Sequence, residues 1–241
     1  MAHAQTQRSK VAGFQFKQFS IAQCSTAMKV STDGIMLGAW AELGSAQQIL
    51  DVGTGTGLLA LMCKQRAPHS DVRALDIEPD ACAQARSNVA ASPWPEIEIT
   101  QGDAQHFDSE RKFDLLISNP PYFDNALKAQ DDKRNLARHT DSLPFSALID
   151  LWQRVGHVNT ELAVILPREQ GQQLVQLAEQ AGGHLRRLCE VKSTERKEVS
   201  RWLMQFSWQA GESEKQQLVI HAGDDYSEDY RHLCREFYLR F

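Results

Sequence analysis

The sequence predicts an α/β fold, a mostly parallel sheet with helices on both faces. Three observations lead there. From about residue 48 onward, apolar runs of strand length alternate with helix-forming stretches, the pattern of successive β–α units joined by right-handed crossovers. Two of these runs, Gln48-Ile49-Leu50-Asp51-Val52 and Phe113-Asp114-Leu115-Leu116-Ile117-Ser118, are nearly continuous in apolar character, as central strands covered on both faces are. The residues with chemical character follow the strands directly, at the carboxyl ends where open α/β sheets bind ligands.

Taken in order, Gly13 to Phe19 alternates apolar and polar residues and suits a short strand or edge segment. Ile35 to Trp40 reads as a short helix, with Ser31, Thr32 or Asp33 available to cap it. The strand at 48–52 runs into Gly53-Thr54-Gly55-Thr56-Gly57, and Leu58 opens a helix that ends at Ala67-Pro68. Val72 to Ile77 is a second strand. Pro79 suits the first turn of the helix after it, which reaches about Val89. Ile97 to Thr100 is a third strand and Phe113 to Ser118 a fourth, stopped by Pro120-Pro121.

Phe123 to Ser142 carries charge and few large apolar residues. A stretch of that length is either disordered or a functional loop. Leu143 to about Val155 is a helix, Leu162 to Pro167 a fifth strand, and Glu169 to Gln180 a helix stopped by Gly182-Gly183. Leu185 to Val191 and Trp202 to Trp208 fit an antiparallel pair. Leu218 to Ile220 adds a short strand and Tyr226 to Phe237 a final helix.

The chain of 241 residues is 42% hydrophobic and 24% charged, enough to bury one large core. No apolar run approaches the roughly 18 residues of a membrane span. Residues 1–10 are polar, lack the apolar centre of a secretory signal and are expected to be disordered, which makes the cytoplasm the default location. The five cysteines, Cys24, Cys63, Cys82, Cys189 and Cys234, include no Cys-x-x-Cys, and the eight histidines are scattered. Neither a disulfide framework nor a metal site is expected. A net charge of −5 excludes a strongly basic protein, although it can hide a local basic patch. With no repeat and no Pro/Ser linker, residues 48–241 read as one domain, preceded by an extension over 11–47.

The loop Asp51-Val52-Gly53-Thr54-Gly55-Thr56-Gly57 lies between strand and helix. Its glycines allow a tight turn and close approach of backbone to a ligand. The spacing is not the G-x-G-x-x-G of dinucleotide folds. An acid at the mouth of this loop would oppose a pyrophosphate and suit a ligand that carries a cationic amino group beside a carboxylate. Asp76, ending the second strand, is placed to take two ribose hydroxyls. Glu78 is its rival and is expected to cap the following helix instead. Asp103, after the third strand, can accept a bond from an adenine amino group, or can simply serve the turn.

Asn119-Pro120-Pro121-Tyr122 forms a stiff corner at the end of the fourth strand. Each proline fixes its own φ and biases the residue before it toward an extended backbone. The corner presents an amide, free carbonyls and an aromatic ring together, a means of holding a planar, amine-bearing group.

The glycine loop, Asp76, Asp103 and Asn119-Pro120-Pro121-Tyr122 together resemble the motif series of class I S-adenosylmethionine-dependent methyltransferases, in the branch that methylates adenine N6, cytosine N4 or a glutamine amide. Gly13 to Phe19, Met28 to Trp40 and the tail Phe237-Tyr238-Leu239 narrow the resemblance to the bacterial tRNA(Val) (adenine-N6)-methyltransferase family. That resemblance implies a Rossmann-like, seven-stranded sheet with an antiparallel C-terminal strand. It implies S-adenosylmethionine as cofactor and the anticodon stem-loop of a tRNA as substrate, methylated at the adenine 3′ of the anticodon. It also implies a cofactor site of Lys29, Thr32, Asp33, Gly34, Asp51, Gly53, Thr54, Gly55, Gly57, Asp76, Asp103 and Asn119. The extension over 11–47 would supply the first four of these. The catalytic group would be Asn119, Pro120, Pro121 and Tyr122.

An adenine amine is a poor nucleophile because its lone pair is conjugated into the ring. Asn119 Oδ1 and the Pro120 carbonyl are the expected acceptors for its N–H groups, with Tyr122 stacked on the base. Phosphates need cations, and Lys128, Lys133, Arg134 and Arg138 lie next to the tetrad, with Lys10, Lys17, Arg196, Lys197 and Arg201 elsewhere. The tetrad alone also fits an adenine in ribosomal RNA or a protein glutamine. The competing class is a cofactor- or RNA-binding module without turnover, for which a broken tetrad or glycine loop would be expected. Both motifs are intact.

Overall fold

The computed structural model describes residues 13–22, 30–121 and 143–241. The expectations for the N-terminal start, Lys29, Tyr122 and the basic segment with Lys128, Lys133, Arg134 and Arg138 lie outside the described residues.

Eleven strands and six helices are described: β1 (Gly13–Gln15), β2 (Ser20–Ala22), α1 (Thr32–Trp40), β3 (Gln48–Val52), α2 (Leu58–Arg66), β4 (Asp71–Asp76), α3 (Pro79–Ala90), β5 (Glu98–Gln101), β6 (Phe113–Ser118), α4 (Phe145–Val155), β7 (Gly156–Pro167), α5 (Arg168–Gln180), β8 (His184–Thr194), β9 (Val199–Ser207), β10 (Glu214–Ala222), β11 (Asp225–Tyr226) and α6 (Glu228–Cys234). The main sheet runs β11-β10-β8-β9-β7-β6-β3-β4-β5. Strands β5, β4, β3, β6 and β7 are parallel, and β9 is antiparallel to both β7 and β8.

Those seven strands are the expected sheet. Beyond them β10 adds in parallel to β8, and β11 folds back on β10. The residues opening β10, Glu214 to Gln217, are polar and exposed. It is an outer strand whose length is set by its ladder to β8, not by local apolar pattern. β1 and β2 form a separate hairpin. The final helix begins later than the sequence suggests, because Asp225 and Tyr226 pair with β10 and the Ser227 side chain then caps Tyr230 N–H.

The core lies on both faces of the sheet. On one face α1 and α2 bury Ile35, Leu37, Leu61 and Met62 against Ile49 and Ile117. On the other, α4 and α5 bury Leu148, Trp152 and Leu174 against Leu50, Leu116 and Val164. Alternate residues of one strand therefore feed opposite cores, which is why β3 and β6 read as unbroken apolar runs. Cys63, Cys82, Cys189 and Cys234 are buried free thiols.

Candidate active site

β3 and β6 pair in the middle of the sheet and end together. The buried Ser118 hydroxyl donates to the Val52 carbonyl at 2.7 Å. Gly53 and Asn119, the next residue on each strand, therefore leave the sheet side by side.

Gly53, Gly55 and Gly57 have φ of 72°, 56° and 84°. Any L side chain resists that region by roughly 1–2 kcal/mol. A Cβ built on Gly53 or Gly55 would meet nothing within 4 Å, so bare backbone faces open space there. The N–H groups of Gly53 and Thr54 donate to the Leu75 carbonyl at 2.8 and 3.1 Å, which moors the loop to β4.

Asp51 is fully buried beneath this loop and does not stand at its mouth. Its Oδ2 accepts the Thr54 hydroxyl at 2.6 Å and the Ala60 N–H at 3.1 Å. Gly57 sits at the N-cap of α2 with no side chain to cap it, and Asp51 satisfies that end of the helix from below. Asp51 Oδ1 is buried with no hydrogen-bond partner among the described residues. Burial pushes the Asp51 carboxyl up to about 7, against the pull of its bonds to Thr54 and Ala60, and the neighbouring Asp76 adds to the rise.

Asp76 ends β4 and is nearly buried. Its Oδ2 accepts the Gly55 N–H at 2.8 Å and its Oδ1 the Glu78 N–H at 3.0 Å. Glu78 occupies the N-cap position of α3, but its side chain makes no capping bond, contrary to expectation. Asp76 instead reaches forward to the Glu78 backbone. Ile77, between them, is 48% exposed.

Asp103 serves its turn. Its Oδ1 accepts the Gln105 N–H at 2.9 Å and its Oδ2 lies 3.1 Å from His106 Nδ1. The Gln105 N–H above all, with His106 in addition, holds its carboxyl below the usual range. The turn still lies on the site edge, since the Gly102 N–H donates to the Asp76 carbonyl at 2.8 Å.

Asn119 points its amide nitrogen at Ser31 Oγ, 3.4 Å away. The same oxygen accepts the Gly34 N–H at 3.1 Å, capping α1. Among the described residues no hydrogen bond reaches Asn119 Oδ1. Pro120 is buried and Pro121 exposed. Gly34 sits at the crowded junction: its Cβ would lie 3.0 Å from Leu58 Cδ2 and 3.8 Å from Asn119 Nδ2. Thr32 is exposed, and Asp33 accepts Arg201 Nε at 2.8 Å, joining α1 to β9. Lys17, a candidate RNA cation, instead spends its ammonium on the carbonyls of Arg235 and Phe241.

Ser31, Gly34, Gly53, Gly55, Thr56 and Asn119 line one small cleft, with Val30, Leu58 and Leu59 as its apolar wall. Thr54 lines it too, while Asp51 lies beneath and Asp76 behind Gly55. Sequence reasoning missed Ser31 as a partner of Asn119, although its capping role was legible, and did not single out Ile77, whose exposed side chain directly follows Asp76. The signal for Ile77 was an apolar residue directly after a strand-ending acid. Among the described residues no cluster of His, Cys, Asp or Glu could hold a metal, and no helix is long and apolar enough to cross a membrane.

The sheet order with its glycine loop between β3 and α2 defines a Rossmann-like class I methyltransferase fold. Solved structures agree: a predicted O-methyltransferase of Agrobacterium tumefaciens superposes with a TM-score of 0.63 at 14% identity over 85% of this chain and 96% of that one. The ribosomal protein L11 methylase of Lactobacillus delbrueckii gives 0.52 at 18% identity over 72% and 76%. Residues 34–140 match the methyltransferase small domain. The curated relatives go further. The tRNA1(Val) (adenine(37)-N6)-methyltransferase of Pseudoalteromonas translucida is 48% identical over 95% of this chain and all of its own length. The proteins of that name from Vibrio campbellii and Phocaeicola vulgatus are 42% and 43% identical, over 98% and 94% of this chain and 99% and 97% of theirs. The chain belongs to the tRNA1(Val) (adenine(37)-N6)-methyltransferase family.

Proposed function

We propose that this protein transfers a methyl group from S-adenosylmethionine to the exocyclic N6 of an adenine in tRNA, at position 37 of tRNA(Val). The observation that carries the reading is Asn119. Its nitrogen lies 3.4 Å from Ser31 Oγ, its oxygen accepts no hydrogen bond among the described residues, and the residue lines the cleft beside the glycine loop.

The residues present fit S-adenosylmethionine. Gly53 and Gly55 offer backbone that a Cβ would cover, and Asp51 holds a buried oxygen without a donor. A buried acceptor left unmatched costs roughly 1–3 kcal/mol, which a ligand amino group would recover directly or through water. Asp76 keeps lone pairs for the ribose hydroxyls beyond the two N–H groups it already accepts. Ile77 offers an apolar face to the adenine ring, and Asp103 an acceptor for its amino group. Thr54 and Gly57 shape the loop, while Lys29, Thr32, Asp33 and Gly34 belong to the extension over 11–47, of which Gly34 lines the cleft. When bound, the cofactor supplies an electrophilic methyl group on a sulfonium.

The chain's own part is to hold and polarise the amine. Asn119 Oδ1 and the Pro120 carbonyl accept its two N–H groups, drawing the lone pair out of conjugation and stabilising the positive charge that grows on nitrogen. Pro121 stiffens the corner and Tyr122 stacks on the base. No strong general base is required, because the methylated cation is acidic enough to release its proton to water.

An anticodon loop suits this site because its bases splay out at low cost. Lys128, Lys133, Arg134 and Arg138, next to the tetrad, are the proposed phosphate contacts. The exposed Arg196 and Lys197, in the β8–β9 turn on the same edge of the sheet, extend them. The place of action is the cytoplasm, where tRNA is modified.

The test is to remove the gene and map methylated adenines across total tRNA and rRNA. Loss of the mark at position 37 of tRNA(Val) alone is expected; loss at an rRNA site instead would overturn the substrate assignment.

A further inference from the structure

The glycine loop is tied to an element that the methyltransferase reading leaves without a role. Asn88, on α3, is 3% exposed. Its Nδ2 donates to the Thr56 carbonyl in the glycine loop at 2.8 Å. Its Oδ1 accepts the Ala22 N–H of β2 at 2.9 Å, and Nδ2 lies 3.4 Å from the Ala22 carbonyl. Gln84 Nε2, one turn earlier on α3, donates to the same Oδ1 at 3.3 Å. One buried amide thus uses both its ends to join the cofactor loop to the N-terminal hairpin.

The hairpin is in turn held by the end of the chain. The Lys17 N–H donates to the Phe237 carbonyl at 2.9 Å, and its ammonium reaches the Phe241 carbonyl at 3.0 Å. Phe16, wholly buried, stacks on Phe19 at 4.6 Å and bridges to Tyr238. From Ala22 the chain leads on to Ser31, which caps α1 and holds Asn119.

Resting on the cofactor role proposed above for the glycine loop, we infer that Asn88 is a positioning residue, through which the N-terminal hairpin sets the loop for S-adenosylmethionine. The Thr56 carbonyl lies between two positive-φ glycines, Gly55 and Gly57. A fixed donor from α3 selects one orientation for that peptide. Without it the loop samples others, and binding must first restore the competent one. The coupling is reciprocal: if the hairpin favours the ligand-ready loop, the ligand must favour the docked hairpin by the same factor.

Two measurements test this. The variant Asn88→Asp keeps the acceptor for the Ala22 N–H and loses the donor to the Thr56 carbonyl, together with the longer contact to the Ala22 carbonyl. Calorimetry with S-adenosylmethionine is expected to show Kd raised about tenfold, with kcat at saturating cofactor within about twofold of wild type and KM for RNA unchanged. That split separates positioning of the loop from general loss of structure. On the unaltered protein, amide exchange at Ala22 is expected to slow when S-adenosylmethionine is added. This second arm stands even if substitutions at Asn88 prevent folding. An unchanged Kd in Asn88→Asp, or Ala22 exchange indifferent to a bound cofactor, would overturn the inference. Failure of the wild-type chain to bind S-adenosylmethionine at all would instead overturn the cofactor reading beneath it.

Discussion

The Asn119 side-chain nitrogen lies 3.4 Å from the Ser31 hydroxyl, across 88 positions of sequence, so the end of β6 is clamped to the start of α1. An asparagine amide free to flip would present nitrogen and oxygen to a substrate amine equally. Ser31 Oγ is the polar partner on which the orientation turns. This hydroxyl oxygen, already accepting the Gly34 N–H at 3.1 Å, faces the nitrogen, and among the described residues the amide oxygen accepts no hydrogen bond. Asn119→Ala is expected to lower kcat by about 10²–10³, with S-adenosylmethionine still bound. Ser31→Ala is expected to lower kcat about tenfold and, by losing a helix cap worth about 1 kcal/mol, to lower Tm by roughly 2–4 °C. The double variant should be no slower than Asn119→Ala alone, because both act through one amide. Additive losses in the cycle would show that Ser31 acts elsewhere.

The glycine loop separates backbone strain from ligand contact. Gly55 and Gly44 both have positive φ, 56° and 50°, and a Cβ on either meets nothing within 4 Å. Only Gly55 lines the cleft beside Asn119. Alanine at either position should cost a similar 1–2 kcal/mol in stability, read by denaturant titration. Gly55→Ala should in addition weaken S-adenosylmethionine binding at least tenfold, and Gly44→Ala should leave it unchanged. Equal effects on binding would mean that the loss reflects strain alone.

Asp51 is expected to make cofactor binding depend on pH. Its carboxyl is pushed by burial up to about 7 from an ordinary value near 3.8. Between those values the folded state holds a proton that the unfolded state has released, so this group makes stability fall as pH rises from about 4 to about 7. A ligand amino group placed near the unmatched Oδ1 favours the ionised form. The affinity for S-adenosylmethionine should therefore rise as pH passes from 6 to 8, with proton release seen as a buffer-dependent enthalpy. Asp51→Asn should flatten both the stability profile and the affinity profile. If the variant keeps the wild-type affinity profile, another group is responsible.

Much of this was legible where local chemistry decides the outcome. β3 and β6 feed two cores with alternate residues, so their composition declared them. The glycines carry positive φ that side chains avoid, and the strand-ending acids Asp51 and Asp76 do lie around the loop. What was not legible depends on partners far along the chain. Nothing near Asn88 announces that it joins Ala22 to Thr56, and nothing near Ser31 announces Asn119. Glu78 holds the N-cap position without capping, and it is Asp76, two residues earlier, that accepts the Glu78 N–H at the start of the helix. β10 opens with four polar exposed residues, and only its ladder to β8 makes it a strand.

Ile77 supplies the remaining test, because large exposed aliphatics are uncommon here and this one has a place. It is 48% exposed directly after Asp76, on the site edge of the sheet, whereas Val158, 63% exposed, lies near the start of β7 on the opposite edge. Truncating either to alanine removes little buried surface, so both variants should stay within about 0.5 kcal/mol of wild-type stability. If Ile77 packs against the adenine ring, Ile77→Ala forfeits apolar contact worth roughly 1 kcal/mol, or about fivefold in Kd for S-adenosylmethionine. Because the contact is with the nucleoside, the variant should lose affinity for adenosine in the same proportion, while Val158→Ala changes neither. An Ile77→Ala protein that binds adenosine as tightly as wild type would remove Ile77 from the cofactor site and leave Asp76 as the sole reader of the nucleoside on β4.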